Sequence, residues 1–281
     1  MSKNEPICIA IFSGMLSNLS RVENNEKMRK GVYLIPDKIK LRFIRQEEKA
    51  ILNEKRNLLY LHYPFDSLRS IFVLELFNMD GKIPIPNIDI DLIDRILLSF
   101  RLIQDKDIFI QGIYYFPDRH STDSVGVVPY PPIPLHYDPY RFNIDDLDPL
   151  KKTIDIITNL DFENEYNYLI ACERYGRSYH SKSEEDKLID ICIALEALIM
   201  KGEFNRSDVG MGQIIGLACS MLLGKNDDDR DTISETVKTA FARRNDIVHG
   251  KKYDREKIVR LVPELKKILQ KSILNLKNMH I

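Results

Sequence analysis

The hydrophobic pattern changes its period near the middle of the chain. Up to residue 128, apolar residues alternate with polar ones or form short runs rich in Ile, Val, Phe and Tyr. Alternation with period two, and short apolar runs of this composition, are typical of strands. The predicted strands are Cys8 to Phe12, Ile39 to Phe43, Leu58 to His62, Ser70 to Phe77 and Ile108 to Phe116. Two helical stretches, Gln46 to Lys55 and Ile90 to Phe100, interrupt them, so residues 1–128 are predicted to be an α+β domain.

A proline cluster follows this half of the chain. Four prolines lie between Val128 and Pro134, and Pro139 comes shortly after them. Proline has no N–H donor and holds φ near one value, so such a stretch is seldom helical or central in a sheet. Residues 129–145 are therefore predicted to be an extended connector.

From residue 146 onward the apolar residues recur with a period of 3.6, which predicts an all-α bundle of five or six helices over 146–281. We expect Ser183 and Asp254 to be N-caps and Gly224 to end a helix. The predicted apolar stripes are Leu147, Leu150, Ile154 and Ile157; Phe162, Tyr166, Leu169 and Cys172; Leu188, Ile191, Cys192, Leu195, Leu198 and Ile199; Ile214, Leu217, Ala218, Met221 and Leu222; Ile233, Val237, Ala240 and Phe241; and Ile258, Leu261, Leu265, Ile268, Leu269 and Leu276.

Composition limits the function classes without choosing among them. The 281 residues suit one large domain or two ordinary ones, with 44% hydrophobic and 30% charged residues, as in a soluble globular protein. Lys and Arg number 41 against 42 Asp and Glu, which gives a net charge of -1. Overall charge therefore does not indicate a nucleic-acid partner, and only a local basic patch can supply one.

The cysteines and the termini indicate a protein of the cytoplasm. Cys8, Cys172, Cys192 and Cys219 form no C-x-x-C pair, so we expect buried free thiols rather than a zinc site or disulfides. The N-terminus lacks the pattern of a signal peptide, and the apolar run from Ile191 to Met200 is too short to span a membrane. We expect neither a membrane partner nor secretion.

Most of the candidate chemistry lies in the eight residues from Arg243 to Gly250. Arg244, Asn245 and His249 place a guanidinium, a carboxamide and an imidazole within one and a half helical turns. Asn245 and His249 are spaced i, i+4 and share a helix face. Arg244 and His249 lie about 140° apart around an unbroken helix. A shared site therefore needs either a helix that unwinds before Gly250 or a second copy of the chain.

The position of Arg244 leaves two interpretations open. It falls on the same stripe as Val237 and Ala240, the side expected to be buried or to face a partner. A buried cation is costly without a counter-charge or a bound anion. Glu196, a carboxylate on an otherwise apolar helix, is the expected structural partner of Arg244. An ion pair between them would hold two helices together.

These residues resemble a known family. Arg244 and His249 look like the R-x4-6-H signature of HEPN domains, in which a polar residue typically follows the arginine. The resemblance is narrower to the Apea-like HEPN group, through the stretches Ile193–Leu198 and Arg244–Gly250. It covers roughly Leu147 to Ile281, and implies a HEPN-type helical bundle after the α+β domain. The pair Arg174 and His180 also satisfies the signature, but we interpret it as a chance match.

The resemblance implies a metal-independent endoribonuclease that needs no cofactor. The 2′-hydroxyl of RNA would attack the adjacent phosphate and leave a 2′,3′-cyclic phosphate. His249 would act as general base or acid, and Arg244 would stabilise the charge on the phosphate. Asn245 would orient either the histidine or the phosphate. The family also implies a homodimer that brings two copies of the motif to one cleft.

Other interpretations stay open at this stage. His249 can be a helix-terminal histidine that interacts with the helix dipole. The three aspartates from Asp227 to Asp229 can be a solvated turn. The alternative function is a non-catalytic HEPN module that dimerises and binds RNA or a partner protein. A third class, a HEPN partner of a nucleotidyltransferase, would need a companion chain, because no nucleotidyltransferase pattern occurs here. The sequence also has no Walker A pattern, so ATP-driven activity within this chain is not expected. For an active nuclease we expect a role in antiviral or abortive-infection defence, with residues 1–128 sensing a trigger ligand or protein. Further RNA-binding candidates are Arg243, Lys251, Lys252, Arg174 and Arg177.

Overall fold

The chain divides into two compact units. The computed structural model describes residues 7–17, 22–54, 71–77, 89–104, 106, 108–116, 126–128, 140–161, 164–200 and 210–276. The first unit, Met1–Thr158, contains a β-sheet with helices and is called the sheet unit below. The second, Asn159–Ile281, is helical throughout its described part and is called the helical unit. An α+β region followed by a helical region confirms the coarse fold class predicted from the hydrophobic period.

The sheet unit has a seven-stranded sheet within its described residues, in the order β2-β3-β4-β1-β5-β6, with β7 paired to β1. The strands are β1 (Ile7–Ser17), β2 (Val32–Ile35), β3 (Ile39–Phe43), β4 (Ile71–Leu76), β5 (Ile110–Phe116), β6 (Gly126–Val128) and β7 (Tyr140–Asn143). Neighbours along this order are antiparallel, whereas β7 runs parallel to β1.

Both faces of the sheet are covered by a hydrophobic core. Alternate residues of a strand point to opposite faces, so neighbouring residues of β1 belong to different cores. Cys8 and Ala10 of β1 belong to a core that includes residues of α3 and α4, whereas Ile9 and Ile11 belong to one that includes Ile51 of α2. The helices of this unit are α1 (Val22–Lys30), α2 (Gln46–Glu54), α3 (Ile90–Ile103) and α4 (Leu147–Thr158).

The structure confirms four predicted strands and both predicted helices of this half. The predicted strand Leu58 to His62 lies outside the described residues, as does most of the predicted connector. The end of that connector is wrong, because Tyr140–Asn143 forms β7. The pairing of β5 with β1 ends at Phe12, and β7 pairs with β1 from Gly14 to Ser17, where β1 extends past β5.

The boundary between the units lies one helix later than predicted. Helix α4 was expected to open the helical bundle, but it belongs to the sheet unit, which ends at Thr158. Its residues Leu150 and Ile154 are buried in the same core as α3. The guanidinium of Arg95 on α3 donates a hydrogen bond of 3.2 Å to the carbonyl oxygen of Thr158. An arginine from a neighbouring helix thus satisfies one of the carbonyls that the end of α4 leaves open.

The described part of the helical unit has five helices, within the range predicted. They are α5 (Tyr166–Ser178), α6 (Glu184–Ile199), α7 (Met211–Leu223), α8 (Asp227–Val248) and α9 (Arg255–Leu276). The predicted N-caps are confirmed: Ser183 Oγ accepts from the N–H of Asp186 at 3.1 Å, and Asp254 Oδ1 accepts from that of Glu256 at 3.1 Å. Gly224 ends α7, also as predicted.

Helix α8 begins at Asp227, within the stretch that was interpreted from the sequence as a solvated turn. Its N-cap is Asn226, whose side chain accepts a hydrogen bond from the N–H of Asp229 at 2.9 Å. The three aspartates from Asp227 to Asp229 are therefore not a loop but the first turn of the helix. Negative charge is favourable there, because the N–H groups at a helix start carry partial positive charge.

The apolar stripe predicted for α7 is on the wrong face. Leu217 and Met221 are 58% and 71% exposed, whereas the buried positions are Ile215, Gly216, Cys219 and Ser220. A Cβ at Gly216 would lie 2.8 Å from the backbone oxygen of Ser234 on α8, so α7 packs through small residues that allow close approach. The stripe of α5 is also shifted, since Tyr166 is 63% exposed and the buried residues are Tyr168, Ala171, Cys172, Tyr175 and Ser178.

All four cysteines are buried free thiols, as predicted. Burial raises the pKa of Cys8, Cys192 and Cys219 to about 12, because a thiolate is poorly solvated in an apolar interior. Among the described helices, none is both long enough and apolar enough to cross a membrane.

Candidate active site at the end of α8

The candidate motif lies at the C-terminal end of α8, where the helix stays intact. The N–H of His249 still donates to the carbonyl of Asn245 at 3.0 Å, as in a regular helical turn. Gly250 has φ +65, and the N–H groups of Gly250 and Lys251 donate to Ile247 and Asp246 at 3.0 and 2.8 Å. This is the Schellman pattern that closes a helix with glycine in the left-handed region. The helix therefore does not unwind before Gly250, which removes one of the two ways of bringing Arg244 and His249 together.

A pocket of about 430 Å³ lies beside this helix end. The wall from α8 contains Lys238, Phe241 and Asn245, which recur at helical spacing along one face, together with Arg244. Met211 lines it from the start of α7, and Glu196 from the last turn of α6. Three separate helices thus meet around two members of the predicted motif.

Arg244 is half-buried, and most of its hydrogen-bonding capacity is unused. Nη1 donates to Asn245 Oδ1 at 3.2 Å, while Nε is buried without an acceptor among the described residues. A buried donor left without an acceptor costs about 1–3 kcal/mol. An anion in the pocket would instead be bound by the terminal nitrogens of the guanidinium, for which the bond to Asn245 is the hydrogen bond found among the described residues. The sequence prediction that Arg244 lies on an inward-facing stripe is therefore confirmed in part.

The expected ion pair between Glu196 and Arg244 is not formed. Within the described part of the chain, the Glu196 carboxylate has neither a hydrogen bond nor a salt bridge, so its assignment as a structural partner is wrong. Both charges nevertheless lie close to the Cys192 thiol. Burial is the main cause that raises the pKa of this thiol; Arg244 lowers it and Glu196 raises it by smaller effects. The two charges line one pocket without neutralising each other directly.

His249 is not in this pocket. It is exposed at the C-cap of α8, one turn beyond Asn245 on the same face. The structure thus brings together Arg244, Asn245 and Glu196, and leaves His249 outside the lining. Within a single chain, the general acid or base and the phosphate-binding arginine of the predicted site do not converge.

The outlying RNA-binding candidates have different environments. Arg174 and Arg177 on α5 contact Asp190 of α6, at 2.8 and 3.7 Å. Asp190 is only 5% exposed, and a buried carboxylate needs such partners, so the two arginines also serve to pair this carboxylate. Their role in RNA binding stays a prediction. Arg174, which forms the chance match to the HEPN signature together with His180, is thus paired with Asp190.

The basic residues next to the motif remain candidates for RNA binding to different degrees. Arg243 donates through Nη1 to Asp246 at 3.1 Å, and its Nε is buried without an acceptor in the described part of the chain. Lys251 and Lys252 are exposed just beyond the helix end, where they can contact a polyanion.

Sequence reasoning missed Lys238 and Met211 as pocket residues. The spacing of Lys238, Phe241 and Asn245 along α8, i, i+3 and i+7, was available as a signal for a shared face. No comparable signal existed for Met211, because its place in the pocket depends on how α7 packs on α8. The Nζ of Lys238 contacts Glu235 at 2.7 Å, so its charge is already paired.

No group of three or more His, Cys, Asp or Glu side chains among the described residues is arranged to hold a metal ion. Comparison with protein-family models, curated proteins and solved structures finds no match to this chain. The resemblance to HEPN domains therefore rests on the motif residues, and the site has to be argued from its own geometry.

Proposed function

We propose that the helical unit is a metal-independent endoribonuclease of the Apea-like HEPN type. The observation that carries this proposal is the environment of Arg244, whose guanidinium lines an open pocket and makes one hydrogen bond among the described residues, from Nη1 to Asn245. Arginine provides donors in a planar fork that matches phosphate oxygens. A phosphate of the RNA backbone would supply further acceptors for the terminal nitrogens of Arg244.

The reaction is a transesterification within RNA. The 2′-oxygen forms a bond to the adjacent phosphorus and the bond from phosphorus to the 5′-oxygen breaks, which leaves a 2′,3′-cyclic phosphate. One group accepts the proton of the 2′-hydroxyl and another donates a proton to the departing 5′-oxygen. His249 supplies this acid–base chemistry, and Arg244 stabilises the charge of the phosphorane. Asn245 holds the guanidinium through the hydrogen bond between their side chains.

The active form is proposed to be a homodimer. An intact helix separates Arg244 from His249 by about 140° around its axis, and His249 lies outside the pocket of its own chain. A second copy related by a two-fold axis would bring its histidine towards this pocket, and two-fold dimers are the commonest homo-oligomers. Each of the two composite sites would then contain the arginine of one copy and the histidine of the other.

The sheet unit is proposed to sense a trigger ligand or protein and to restrain the nuclease, as in a defence or toxin effector. The alternative function is a non-catalytic module that dimerises and binds RNA or a partner protein. One observation favours this alternative: the Schellman turn at Gly250 accounts for His249 and Gly250 as an ordinary helix end.

An RNA digest with end-group analysis in EDTA tests the proposal. We expect the purified full chain to leave 2′,3′-cyclic phosphate and 5′-hydroxyl ends, with EDTA present to exclude metal-dependent contaminants. His249→Ala should lower the cleavage rate by about 10²–10⁴-fold, the usual range for a general acid or base. The matched control is His180→Ala, since His180 is an exposed histidine of the same unit at the end of α5. Equal rates for the two variants would support the non-catalytic alternative.

A further inference from the structure

The Glu196 carboxylate lies where helix stability disfavours it. It is in the last turn of α6, which ends at Ile199, and the carbonyl end of a helix carries partial negative charge. No basic residue lies in that turn to offset it. The carboxylate also has no hydrogen bond or salt bridge in the part of the chain that the structure describes. Its position therefore has no structural explanation, which is typical of residues kept for function.

The pocket combines this carboxylate with the guanidinium of Arg244, which makes one hydrogen bond among the described residues. Lys238 is paired with Glu235, so Glu196 and Arg244 are the pocket charges that have no ion pair among the described residues. A ligand that satisfies both must carry an anion at one end and hydrogen-bond donors at the other. A nucleotide has this form, because its phosphate is the anion and its base edge carries N–H donors.

Among the four RNA bases, guanine matches a carboxylate best. Its Watson–Crick edge presents the N1–H and N2–H groups side by side, so each oxygen of the carboxylate accepts one hydrogen bond. Adenine and cytosine present one amino group next to a ring nitrogen that is itself an acceptor, and uracil presents one N–H between two carbonyls. Two parallel charge-assisted hydrogen bonds are stronger and more selective than one. The exposed part of Met211, which is 39% accessible, supplies an apolar wall for the base.

We propose that Glu196 determines base specificity by accepting hydrogen bonds from N1–H and N2–H of a guanine in this pocket, while Arg244 binds the attached phosphate. This inference rests on the proposed ribonuclease function, because it assigns the base next to the cleaved phosphate. The cavity of about 430 Å³ has room for a base and its phosphate. The substrate is therefore single-stranded RNA with guanosine at the cleaved bond, since a paired guanine has its Watson–Crick edge occupied.

Binding of nucleoside 3′-monophosphates to the full chain tests this without requiring cleavage. We expect calorimetry to show guanosine 3′-monophosphate binding about 10–100-fold more tightly than its adenosine, cytidine and uridine counterparts. Inosine 3′-monophosphate lacks the N2 amino group, so it should bind about tenfold more weakly than the guanosine compound. Because this comparison uses the wild-type chain, it does not depend on the folding of a variant.

A matched pair of variants assigns the preference to Glu196. Glu196→Gln keeps the shape but replaces one acceptor by a donor, so the difference between guanosine and inosine compounds should disappear while inorganic phosphate binds as before. Glu173→Gln, at an exposed carboxylate on α5, should leave the preference unchanged. Equal affinity for all four nucleotides, or a guanine preference that survives Glu196→Gln, would overturn the inference.

The outcomes also separate this inference from the proposed function. RNA cleavage with cyclic-phosphate ends at all four bases would support the nuclease and overturn the role of Glu196. Guanine-selective binding that Glu196→Gln abolishes, without any cleavage of RNA, would support the role of Glu196 in recognition and count against the nuclease.

Discussion

Arg42 in the sheet unit and Arg244 in the helical unit are both removed from solvent to some degree, yet their surroundings differ in kind. Arg42 is 1% exposed, and its Nε donates to Glu75 at 2.7 Å while its two terminal nitrogens donate to Glu48 at 2.8 and 2.6 Å. Arg244 is half-buried and donates only to Asn245, at 3.2 Å, while its Nε has no acceptor in the described structure.

The difference shows how a structural arginine is distinguished from a candidate binding arginine. Burial lowers the pKa of Arg42, but hydrogen bonds and charges from Glu48 and Glu75 outweigh it, so the net shift is upward. Arg45 completes this network through a hydrogen bond of 3.4 Å to Glu75. The charge of Arg42 is therefore satisfied within the sheet unit. Arg244 has one hydrogen bond among the described residues, which makes it the candidate for binding an external anion.

The largest expected effect on folding is at Arg42. Arg42→Leu would remove the buried guanidinium that pairs with both Glu48 and Glu75, and breaking a buried ion pair costs about 3–5 kcal/mol. We expect amide hydrogen exchange, followed by mass spectrometry, to accelerate in β3 and β4 and to stay unchanged in α8. Arg45→Leu is the control, because the Arg45 side chain is 37% exposed and its pairs are screened by solvent. Equal acceleration by the two variants would contradict a special role for Arg42.

Arg244 should respond in the opposite way. Arg244→Leu removes a buried donor that has no acceptor, so the helical unit should keep its stability to within about 1 kcal/mol. Cleavage of RNA should fall by about 10²–10³-fold, the usual cost of removing one donor that stabilises a charged transition state. Arg260→Leu, at a residue whose side chain is 82% exposed on α9, should change neither quantity. A strongly destabilised Arg244→Leu with normal residual activity per folded molecule would make Arg244 a second structural arginine.

Mixing two inactive variants sharpens this result. If each site takes its arginine from one copy and its histidine from the other, a dimer of Arg244→Leu with His249→Ala chains contains one intact site. Random exchange of subunits should then restore about a quarter of the wild-type activity. Dimers that exchange subunits without any recovery would place the whole site within one copy.

The sequence was a better guide to the motif than to the tertiary contacts around it. The period-two pattern predicted β3 correctly, but it placed Arg42 on the polar face of a half-buried strand. Arg42 is buried between Glu48 and Glu75, and Glu75 lies 33 residues away in the chain, so no local pattern carries that contact. For the same reason the pocket was not predicted. Its wall from α7 includes Gly212, where a Cβ would lie 2.7 Å from Cβ of Phe241 on α8, whereas a search for large apolar residues selects the exposed Leu217 and Met221.

The smallest expected effect is at Gly250, where the two interpretations of the motif meet. Its φ of +65 is unfavourable for alanine by about 1–2 kcal/mol, although a Cβ there would contact nothing within 4 Å. Gly250→Ala should lower the stability of the helical unit by about 1 kcal/mol, as thermal unfolding can measure, and loosen the turn that holds His249. Gly250→Asn should lose less, because asparagine tolerates this conformation. If the site is composite, the cleavage rate should fall in Gly250→Ala and be closer to that of the wild type in Gly250→Asn, in the same order as the stabilities of the two variants. Cleavage that is unchanged by both substitutions would mean that the helix end does not position His249 for catalysis.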